Sequence, residues 1–346
     1  MSESRVQEIV AQFAPTLVAW QRQHGRHELP WQQTRDPYRV WLSEIMLQQT
    51  QVTTVLGYYQ RFLERFPTVR ELALAELDEV LALWAGLGYY SRARNLHRCA
   101  QAVLAEHGGE FPRSAEQLQQ LPGIGRSTAA AVASFCFDER VAILDGNVKR
   151  VLSRVLAFDG DLASAAQEKL LWRHADALLP ARAADMPAYT QGLMDLGASL
   201  CASKTPQCLL CPLSELCAGR AQGEPQRYPI KSRKLKRGRR EHWWLWLEHE
   251  ERIWLQQRPD SGVWAGLWTL PLFDSETELL AEATRLGAEA EPLPRVEHAL
   301  THFDWVLHPR RALLNEGAAP LEQGRWVARE QLASYALPAP LKRLIG

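Results

Sequence analysis

The chain has 346 residues, of which 46% are hydrophobic, so it is long enough to form two separate cores. Its 40 basic and 40 acidic residues balance, and net charge therefore neither favours nor excludes a nucleic-acid partner. No apolar run reaches the roughly 18 residues of a membrane span, and the first residues have the pattern of an amphipathic helix rather than a secretory signal. These features predict a cytoplasmic protein of two domains.

Apolar residues recur at helical spacing from Val6 to about residue 200, with no convincing alternating strand. This pattern predicts that the first part of the chain is all-helical. Short Gly, Pro and Asn signals divide it into predicted helices over 5–24, 37–49, 52–65, 76–85, 90–107, 114–120, 126–137, 146–157, 164–179 and 186–199.

The composition changes at residues 227–240, which carry eight Lys or Arg and no acidic residue. Such a run is typical of a solvated linker that can also lie along phosphate groups. Short aromatic and β-branched runs follow and predict strands, namely HWWLWLE, RIWLQQR, GLWTLP, FDWVLH and GRWVA. Eight of the 13 Trp lie after residue 240, where we expect them to fill a small sheet-based core. We predict a helical catalytic domain over 1–226, a basic linker over 227–241 and a mixed α/β domain over 242–346.

The stretch from Leu121 to Arg150 contains the clearest functional pattern. Gly123 and Gly125 allow a tight turn before an Ala-rich helix and leave the backbone N–H groups at its start exposed. Such exposed N–H groups form a phosphate-binding site. Further on, Asp145 follows an apolar run and precedes the basic start of another helix, for which it could also serve as the N-cap. A single acid close to a phosphate-binding turn suggests chemistry on DNA.

Four cysteines lie within 17 residues of one another in the pattern C-x6-C-x2-C-x5-C: Cys201, Cys208, Cys211 and Cys217. Four thiolates so close in sequence can surround one metal centre, and the spacing leaves a zinc ion and a [4Fe–4S] cluster both open. The two other cysteines, Cys99 and Cys136, lie on apolar helical stretches, so we expect them to be small buried side chains.

The LPGIG turn, the acid in LDGNVKR and the cysteine spacing together resemble the iron–sulfur branch of the endonuclease III superfamily of DNA glycosylases, over about residues 20–220. The segments 41–52 and 86–96 look like the adenine glycosylase (MutY) subfamily. The resemblance implies a multidomain fold, in which an all-α glycosylase domain holds DNA across a cleft between two lobes. It also implies a helix-hairpin-helix at about 118–137, a [4Fe–4S] cluster in the loop 201–217 and a C-terminal α/β domain similar to a Nudix (MutT-like) fold.

One position separates the subfamilies on chemical grounds. Bifunctional relatives have a lysine two residues after the second glycine of the hairpin, and its amine attacks the sugar to form a Schiff base. Here that position is Ser127, which cannot form an imine. The expected reaction is therefore hydrolysis of the base–sugar bond, leaving an abasic site and an intact strand.

The resemblance also assigns catalytic roles. Because adenine is a poor leaving group, its release requires a proton on the base and stabilisation of positive charge on the sugar. We expect Glu44, in an apolar helical motif, to be the general acid that later activates water, and Asp145 to stay ionised and face the sugar. Asn147 is expected to orient the carboxylate or the nucleophile, and Trp31 to form a wall of the adenine pocket.

The target base must leave the duplex, and side chains that fill the gap offset the loss of stacking. By resemblance, Gln49 and Tyr89 fill the opened stack, while Thr50 and Leu87 lie near the opposite base. Tyr89 and Tyr90 could instead be core aromatics, because a helix follows them directly. Phosphate contacts are expected from the amides of Gly123 to Gly125 and from three basic side chains, Lys149, Arg150 and Lys204.

In this family the C-terminal domain inspects the base opposite adenine through a Phe-Ser-His segment, which here is Leu300-Thr301-His302. Thr301 keeps a hydroxyl group and His302 is present, so we expect both to contact 8-oxoguanine. The Glu-rich box that binds magnesium in Nudix hydrolases has no match between residues 260 and 300, which argues against pyrophosphatase activity.

The leading hypothesis is a monofunctional, monomeric glycosylase. It would be located in the cytoplasm, associated with the nucleoid, and would remove adenine mispaired with 8-oxoguanine or guanine from double-stranded DNA. The alternatives are a bifunctional pyrimidine-lesion glycosylase/lyase, a non-catalytic DNA-binding protein and a nucleotide hydrolase. Ser127 and the second domain argue against the first of these, and the presence of both Glu44 and Asp145 argues against the second.

Overall fold

The computed structural model describes residues 3–232, 237–315 and 321–345. Its contacts group the chain into two compact units that are not continuous in sequence. One unit contains Met1–Gln49 and Ala102–Lys234, and the other contains Thr50–Gln101 and Leu235–Gly346. The predicted division at 227–241 stays a prediction, and residues 233–236 of that linker lie outside the described residues.

The first part of the chain is helical as predicted, and among the described residues no strand precedes Gly238. The helices are α1 (Glu3–His24), α2 (Pro37–Leu47), α3 (Val52–Arg65), α4 (Val69–Leu74), α5 (Leu77–Trp84), α6 (Ser91–His107), α7 (Ala115–Leu118), α8 (Arg126–Phe137), α9 (Gly146–Val155), α10 (Ala165–Ala177), α11 (Met186–Ala198) and α12 (Ala218–Ala221). Helices α4 and α12 were not predicted, although Thr68 and Glu71 form a capping box that marks the start of α4. None of the described helices is long and apolar enough to cross a membrane.

The turn between α7 and α8 exposes the two glycines of the predicted hairpin. Leu121 and Ile124 are buried and anchor the turn, while Gly123 adopts a φ of +75°, which a side chain would disfavour. Gly125 is the N-cap of α8, and an added Cβ there would meet no atom within 4 Å. The backbone at the start of α8 is therefore open to an approaching group.

One hydrophobic cluster in the first unit holds α1, α8, α9 and α11 together. It includes Phe13 and Leu17 of α1, Ala130 of α8, Val148 of α9 and Leu193 of α11, each at most 1% exposed. Small alanines on α8 allow close packing of the neighbouring helices. This core fixes the positions of the helix that follows the glycine turn and of the helix that begins after Asp145.

The second unit contains a sheet of eight strands among its described residues. The strands are β1 (Gly238–His249), β2 (Arg252–Gln257), β3 (Trp268–Thr269), β4 (Leu272–Phe273), β5 (Ala290–Pro292), β6 (Val296–Ala299), β7 (Phe303–Leu313) and β8 (Gly324–Ala328). Their main order is β3-β2-β1-β7-β5, with β4 paired to β1, β6 to β7 and β8 to β2. Strands β1 and β7 are parallel, with Gly238 opposite Phe303 and Glu248 opposite Leu313. Helices α13 (Glu276–Arg285) and α14 (Ala339–Ile345) complete the mixed α/β arrangement.

The tryptophans fill the core of the sheet region, as predicted. Six of the eight after residue 240 are buried, and Trp243 and Trp326 are partly buried. Trp264 stacks on Trp305 with ring centroids 4.6 Å apart. The expectation for the two isolated cysteines is also confirmed, since Cys99 is fully buried and Cys136 is 9% exposed.

Candidate active site

Glu44 lies in the middle of α2, a helix that Asp36 caps by accepting a hydrogen bond from the Tyr38 amide. Its neighbours Ser43 and Ile45 are buried, and the Glu44 carboxyl is itself only partly accessible. Burial, and after it the negative charge of Asp145, raises the pKa of Glu44 to about 8. At neutral pH Glu44 is therefore a protonated carboxylic acid that can donate a proton.

Glu44 opens into a cavity of about 320 Å³, whose wall includes Trp31. A cavity of this size accommodates a flat heterocycle, and Trp31 offers an aromatic surface to it. Two polar residues that the sequence analysis did not identify, Arg26 and Gln191, also line this cavity. The structure thus brings the predicted acid and the predicted pocket wall together.

A buried carboxylate holds both of the unpredicted residues. Asp195 is 2% exposed and accepts hydrogen bonds from the backbone N of Arg26 at 3.0 Å, from its Nε at 2.6 Å and from Gln191 Nε2 at 2.8 Å. No short motif marks this contact, because Arg26 and Asp195 are 169 residues apart in the sequence. The sequence does offer one indication of such a contact, because Asp195 lies on an apolar face of α11. A charge that is buried there requires hydrogen-bonding partners.

Asp145 is the N-cap of α9 and accepts a hydrogen bond from the amide of Val148 at 2.7 Å. Burial raises the pKa of this carboxyl, while hydrogen bonds from the amides of Val148 and Asn147 and the charges of Arg150 and Lys149 oppose the rise. The structure confirms that Asp145 caps the helix, which was the alternative prediction for this residue. The capping hydrogen bond is accepted by Oδ1, so this bond does not use the second carboxylate oxygen, Oδ2.

Ser127 and Asn147 both lie next to the Asp145 segment. Ser127 Oγ accepts a hydrogen bond from the amide of Leu144 at 3.1 Å, which ties α8 to the residue before Asp145. Asn147 Oδ1 accepts a hydrogen bond from Arg150 at 2.9 Å. Ser127 therefore supports the loop that carries Asp145.

The residues expected to contact the opened DNA stack lie in two loops. Gln49 and Tyr89 both have positive φ angles, +56° and +48°, which non-glycine residues rarely adopt. Tyr89 is 44% exposed whereas Tyr90 is 8% exposed, so only the second of the two tyrosines is a core aromatic. Leu87 is 6% exposed.

The segment Leu300-Thr301-His302 joins β6 to β7 and is fixed at its end, where the amide of Gly238 donates to the carbonyl of His302 at 2.9 Å. Thr301 and His302 are exposed and line a cavity of about 590 Å³ together with Tyr89. The hydroxyl groups of Tyr89 and Thr301 share a hydrogen bond of 3.2 Å. Within the second unit, Tyr89, which is predicted to fill the opened stack, thus lies beside Thr301 and His302, which are predicted to contact 8-oxoguanine.

The basic residues expected to bind phosphate have different surroundings. Lys149 Nζ is 2.7 Å from a carboxylate oxygen of Glu168. Arg150 donates to the carbonyls of Cys201 and Gly197 at 2.8 and 2.6 Å, so its guanidinium already has internal acceptors. Lys204 is exposed, as are Gly123 and Gly125. Phosphate contacts by these residues stay predictions.

The four cysteines of the predicted metal site, Cys201, Cys208, Cys211 and Cys217, line one small cavity. Burial raises the pKa of Cys211 to about 12, and the three other cysteines act in the same direction. Arg154 donates to Cys201 Sγ at 3.3 Å and to the carbonyls of Ala202 and Ser203 at 2.7 and 2.8 Å. Nowhere in the described part of the chain is a group of His, Cys, Asp or Glu gathered closely enough to hold a single metal ion.

The helical region and the sheet region each match a known family. The HhH-GPD superfamily of base excision DNA repair proteins matches residues 42–174, and the NUDIX domain family matches residues 242–346. A solved thermostable thymine-DNA glycosylase has a TM-score of 0.56 and 28% identity, covering 62% of this chain and 98% of that one. The fold is thus that of a base excision DNA glycosylase with a C-terminal NUDIX domain.

Relatives that match nearly the whole of this chain narrow the class of glycosylase. The chain is 34% identical to an adenine DNA glycosylase of Buchnera aphidicola subsp. Acyrthosiphon pisum, over 96% of both chains. It is also 34% identical to the adenine DNA glycosylase of Homo sapiens, over 97% of this chain and 73% of that protein. The chain belongs to the adenine DNA glycosylase family.

Proposed function

We propose that this enzyme hydrolyses the N-glycosidic bond of adenine mispaired with 8-oxoguanine or guanine and leaves an abasic site in an intact strand. The observation that carries the proposal is that Glu44 and Trp31 line one cavity, where burial and the charge of Asp145 raise the pKa of Glu44. A proton donor and a second carboxylate with different surroundings are what cleavage of a glycosidic bond requires.

In the proposed reaction, adenine leaves the duplex and enters the cavity, where it lies against Trp31. Glu44 donates its proton to the adenine ring, and the bond to the sugar breaks as positive charge develops at C1′. Asp145 stabilises that charge through its ionised carboxylate. Glu44, now ionised, accepts a proton from the attacking water, which returns the acid to its starting state.

The surrounding residues support these steps. Ser127 holds the amide of Leu144 and so steadies the loop that carries Asp145. It also lacks the amine that a lyase needs, and the strand therefore stays intact. Arg26 and Gln191, both held by Asp195, provide hydrogen-bonding groups at the cavity wall. Gln49 and Tyr89 would fill the gap in the stack, and Thr301 and His302 would contact the opposite base.

The cysteine loop would hold a [4Fe–4S] cluster, as the resemblance to the iron–sulfur glycosylases implies. In support, Cys201, Cys208, Cys211 and Cys217 line one cavity, and thiolates are the ligands that such a cluster requires. Such a cluster would cross-link the loop 201–217, and Arg154 would hold the same loop through its carbonyl groups.

Duplexes that differ in one base pair test the proposal. The protein is incubated with adenine opposite 8-oxoguanine, adenine opposite thymine and an oxidised pyrimidine opposite guanine, and strand breaks are measured before and after hot alkali. We expect breaks in the first duplex alone, and only after alkali. Cleavage of the pyrimidine duplex without alkali would instead show a lyase.

Visible absorbance and metal content test the assignment of the [4Fe–4S] cluster. The purified protein should be brown, with broad visible absorbance and about four iron atoms per chain. A colourless protein containing one zinc per chain would overturn the assignment and leave the proposed reaction to be judged on the duplexes alone.

A further inference from the structure

Arg92 lies in the first turn of α6 and is 8% exposed, although the sequence analysis gave it no role. One of its terminal nitrogens, Nη2, donates to Thr50 Oγ1 at 3.2 Å, to the carbonyl of Leu87 at 3.2 Å and to the carbonyl of Gly88 at 3.1 Å. These acceptors belong to two separate loops, the one that ends α2 and the one that precedes α6. A single buried guanidinium therefore joins both loops.

The flat face of the same guanidinium contacts aromatic rings. Its central carbon is 5.5 Å from the ring centroid of Tyr89 and 5.2 Å from that of Trp84. Burial lowers the pKa of Arg92 to about 10, so the side chain still carries its charge at neutral pH. An arginine combines planar stacking with several donors in a way that lysine cannot reproduce.

The loop held by Arg92 has an unusual backbone. Gly86, Gly88 and Tyr89 have φ angles of +113°, +72° and +48°. For a tyrosine this conformation is strained and persists only when the surrounding structure enforces it. The carbonyl of Gly88 accepts hydrogen bonds from both Arg92 and Trp84 Nε1, the latter at 3.1 Å, and so fixes the residue just before Tyr89.

The contacts of Arg92 coincide with the residues expected to meet the base opposite adenine. Thr50 and Leu87 were assigned to that base and Tyr89 to the adjacent gap in the stack. Arg92 contacts all three of these residues, and its other contacts, with Gly88 and Trp84, belong to the same loop or to the helix that precedes it. Burying its charge costs free energy, which the hydrogen bonds to Thr50, Leu87 and Gly88 offset.

We propose that Arg92 is a positioning residue that sets the selectivity for the base opposite the excised adenine, by holding Thr50, Leu87 and Tyr89 in one arrangement. Arg92 does not itself touch the base. The inference rests on the proposed function, because it assumes that these residues contact the opposite strand. It adds a residue that controls discrimination between 8-oxoguanine and guanine.

The test measures binding rather than catalysis. In a Glu44→Gln background, which keeps the duplex intact, dissociation constants are measured for adenine opposite 8-oxoguanine and adenine opposite guanine. Arg92→Met should lower the preference for 8-oxoguanine by about tenfold, which corresponds to the loss of a charge-assisted hydrogen bond. Arg92→Lys should give an intermediate value, since it keeps the charge and loses the planar stacking. Arg98→Met, an exposed arginine on the same helix, is the matched control and should leave the preference unchanged.

A double-mutant cycle with Thr50→Ala tests whether Arg92 acts through Thr50. The effect of Thr50→Ala on the preference should shrink when Arg92 is already replaced. If Arg92→Met folds poorly, the cycle is carried out with Arg92→Lys, which preserves a donor to the loop.

The outcomes separate this inference from the proposed function. An unchanged preference in the Arg92 variants, with a lower melting temperature alone, would show a purely structural arginine and overturn the inference. If the Glu44→Gln protein with Arg92 intact showed no preference for 8-oxoguanine, the proposed specificity itself would fail, and the inference with it.

Discussion

Burial and a neighbouring carboxylate act in the same direction on Glu44, and both favour its protonated form. Because the pKa is raised from 4.5 to about 8 in the folded state, the side chain stabilises folding least at high pH. Its contribution is complete below pH 4.5 and is lost as the pH rises towards 8. The property that makes Glu44 a proton donor therefore lowers the stability of the fold at neutral and alkaline pH.

Glu44→Gln should consequently be more stable than the parent protein at high pH. We expect the two melting temperatures to be similar at pH 5 and the variant to gain about 4 kcal/mol by pH 9, measured by thermal unfolding across this range. The matched control is Glu116→Gln at an exposed position of α7, and its gain in stability by pH 9 should be smaller than that of Glu44→Gln. A Glu44→Gln advantage that did not grow with pH would contradict the raised pKa.

A substitution of Ser127 tests whether this residue supports the loop that carries Asp145 or only contributes to the stability of the fold. Ser127→Ala removes the acceptor of the Leu144 amide and should cost about 1 kcal/mol in the free energy of unfolding. It should also slow adenine release by roughly tenfold, because a small displacement of Asp145 misaligns the reacting groups.

Ser134→Ala is the matched control for Ser127. Ser134 lies on the same helix, is fully buried and shares a 2.8 Å hydrogen bond with Thr190. Its replacement should lower stability without slowing adenine release. Equal losses of rate in the two variants would show that Ser127 has no particular connection to the acid.

At the level of elements, α9 carries Asp145 at its N-terminus and two arginines, Arg150 and Arg154, that hold the cysteine loop. The bounds of this helix were predicted to within two residues, because its periodicity and its cap are local features of the sequence. The strands β4, β5 and β6 were not predicted, since they are two to four residues long and form only through pairing with distant partners.

The two roles of Asp145 can be separated by two substitutions. Asp145→Asn keeps an oxygen that can cap α9 but removes the charge, so stability should not fall while adenine release falls at least a hundredfold. Asp145→Ala removes the cap as well and should cost about 1 kcal/mol in addition. Chemical denaturation and single-turnover rates measure the two effects. If Asp145→Asn retained its activity, the residue would be a helix cap and nothing more.

At the level of the whole molecule, the two compact units are interleaved in sequence. Helices α3 to α5 belong to the same unit as the sheet, which no local pattern could reveal. The same limit explains why Glu44, Asp145 and the cysteines were predicted while Arg26, Asp195 and Arg92 were not. The first group lies in recognisable motifs, whereas the second acts through contacts that only the folded chain creates.

Asp78 shows how α5 is joined to the sheet. Its carboxylate accepts hydrogen bonds from Trp268 Nε1 at 3.2 Å and Gln257 Nε2 at 3.1 Å. Asp78→Ala should therefore lower the free energy of unfolding by about 1–3 kcal/mol, because the buried indole N–H of Trp268 loses its acceptor. Glu79→Ala, which removes a surface ion pair with Arg65, should cost less than about 1 kcal/mol. Denaturation followed by tryptophan fluorescence compares them, and equal losses would argue against the Asp78 link.

The pH dependence of adenine release tests the central claim most directly, since kcat/KM reports the ionisation of the free enzyme. Free adenine released from a duplex with adenine opposite 8-oxoguanine is measured between pH 6 and 9.5. If protonated Glu44 is the acid, kcat/KM should decline as the pH passes about 8, and Glu44→Gln should release no adenine at any pH. A value of kcat/KM that stayed level or rose up to pH 9.5, or an active Glu44→Gln variant, would contradict the account.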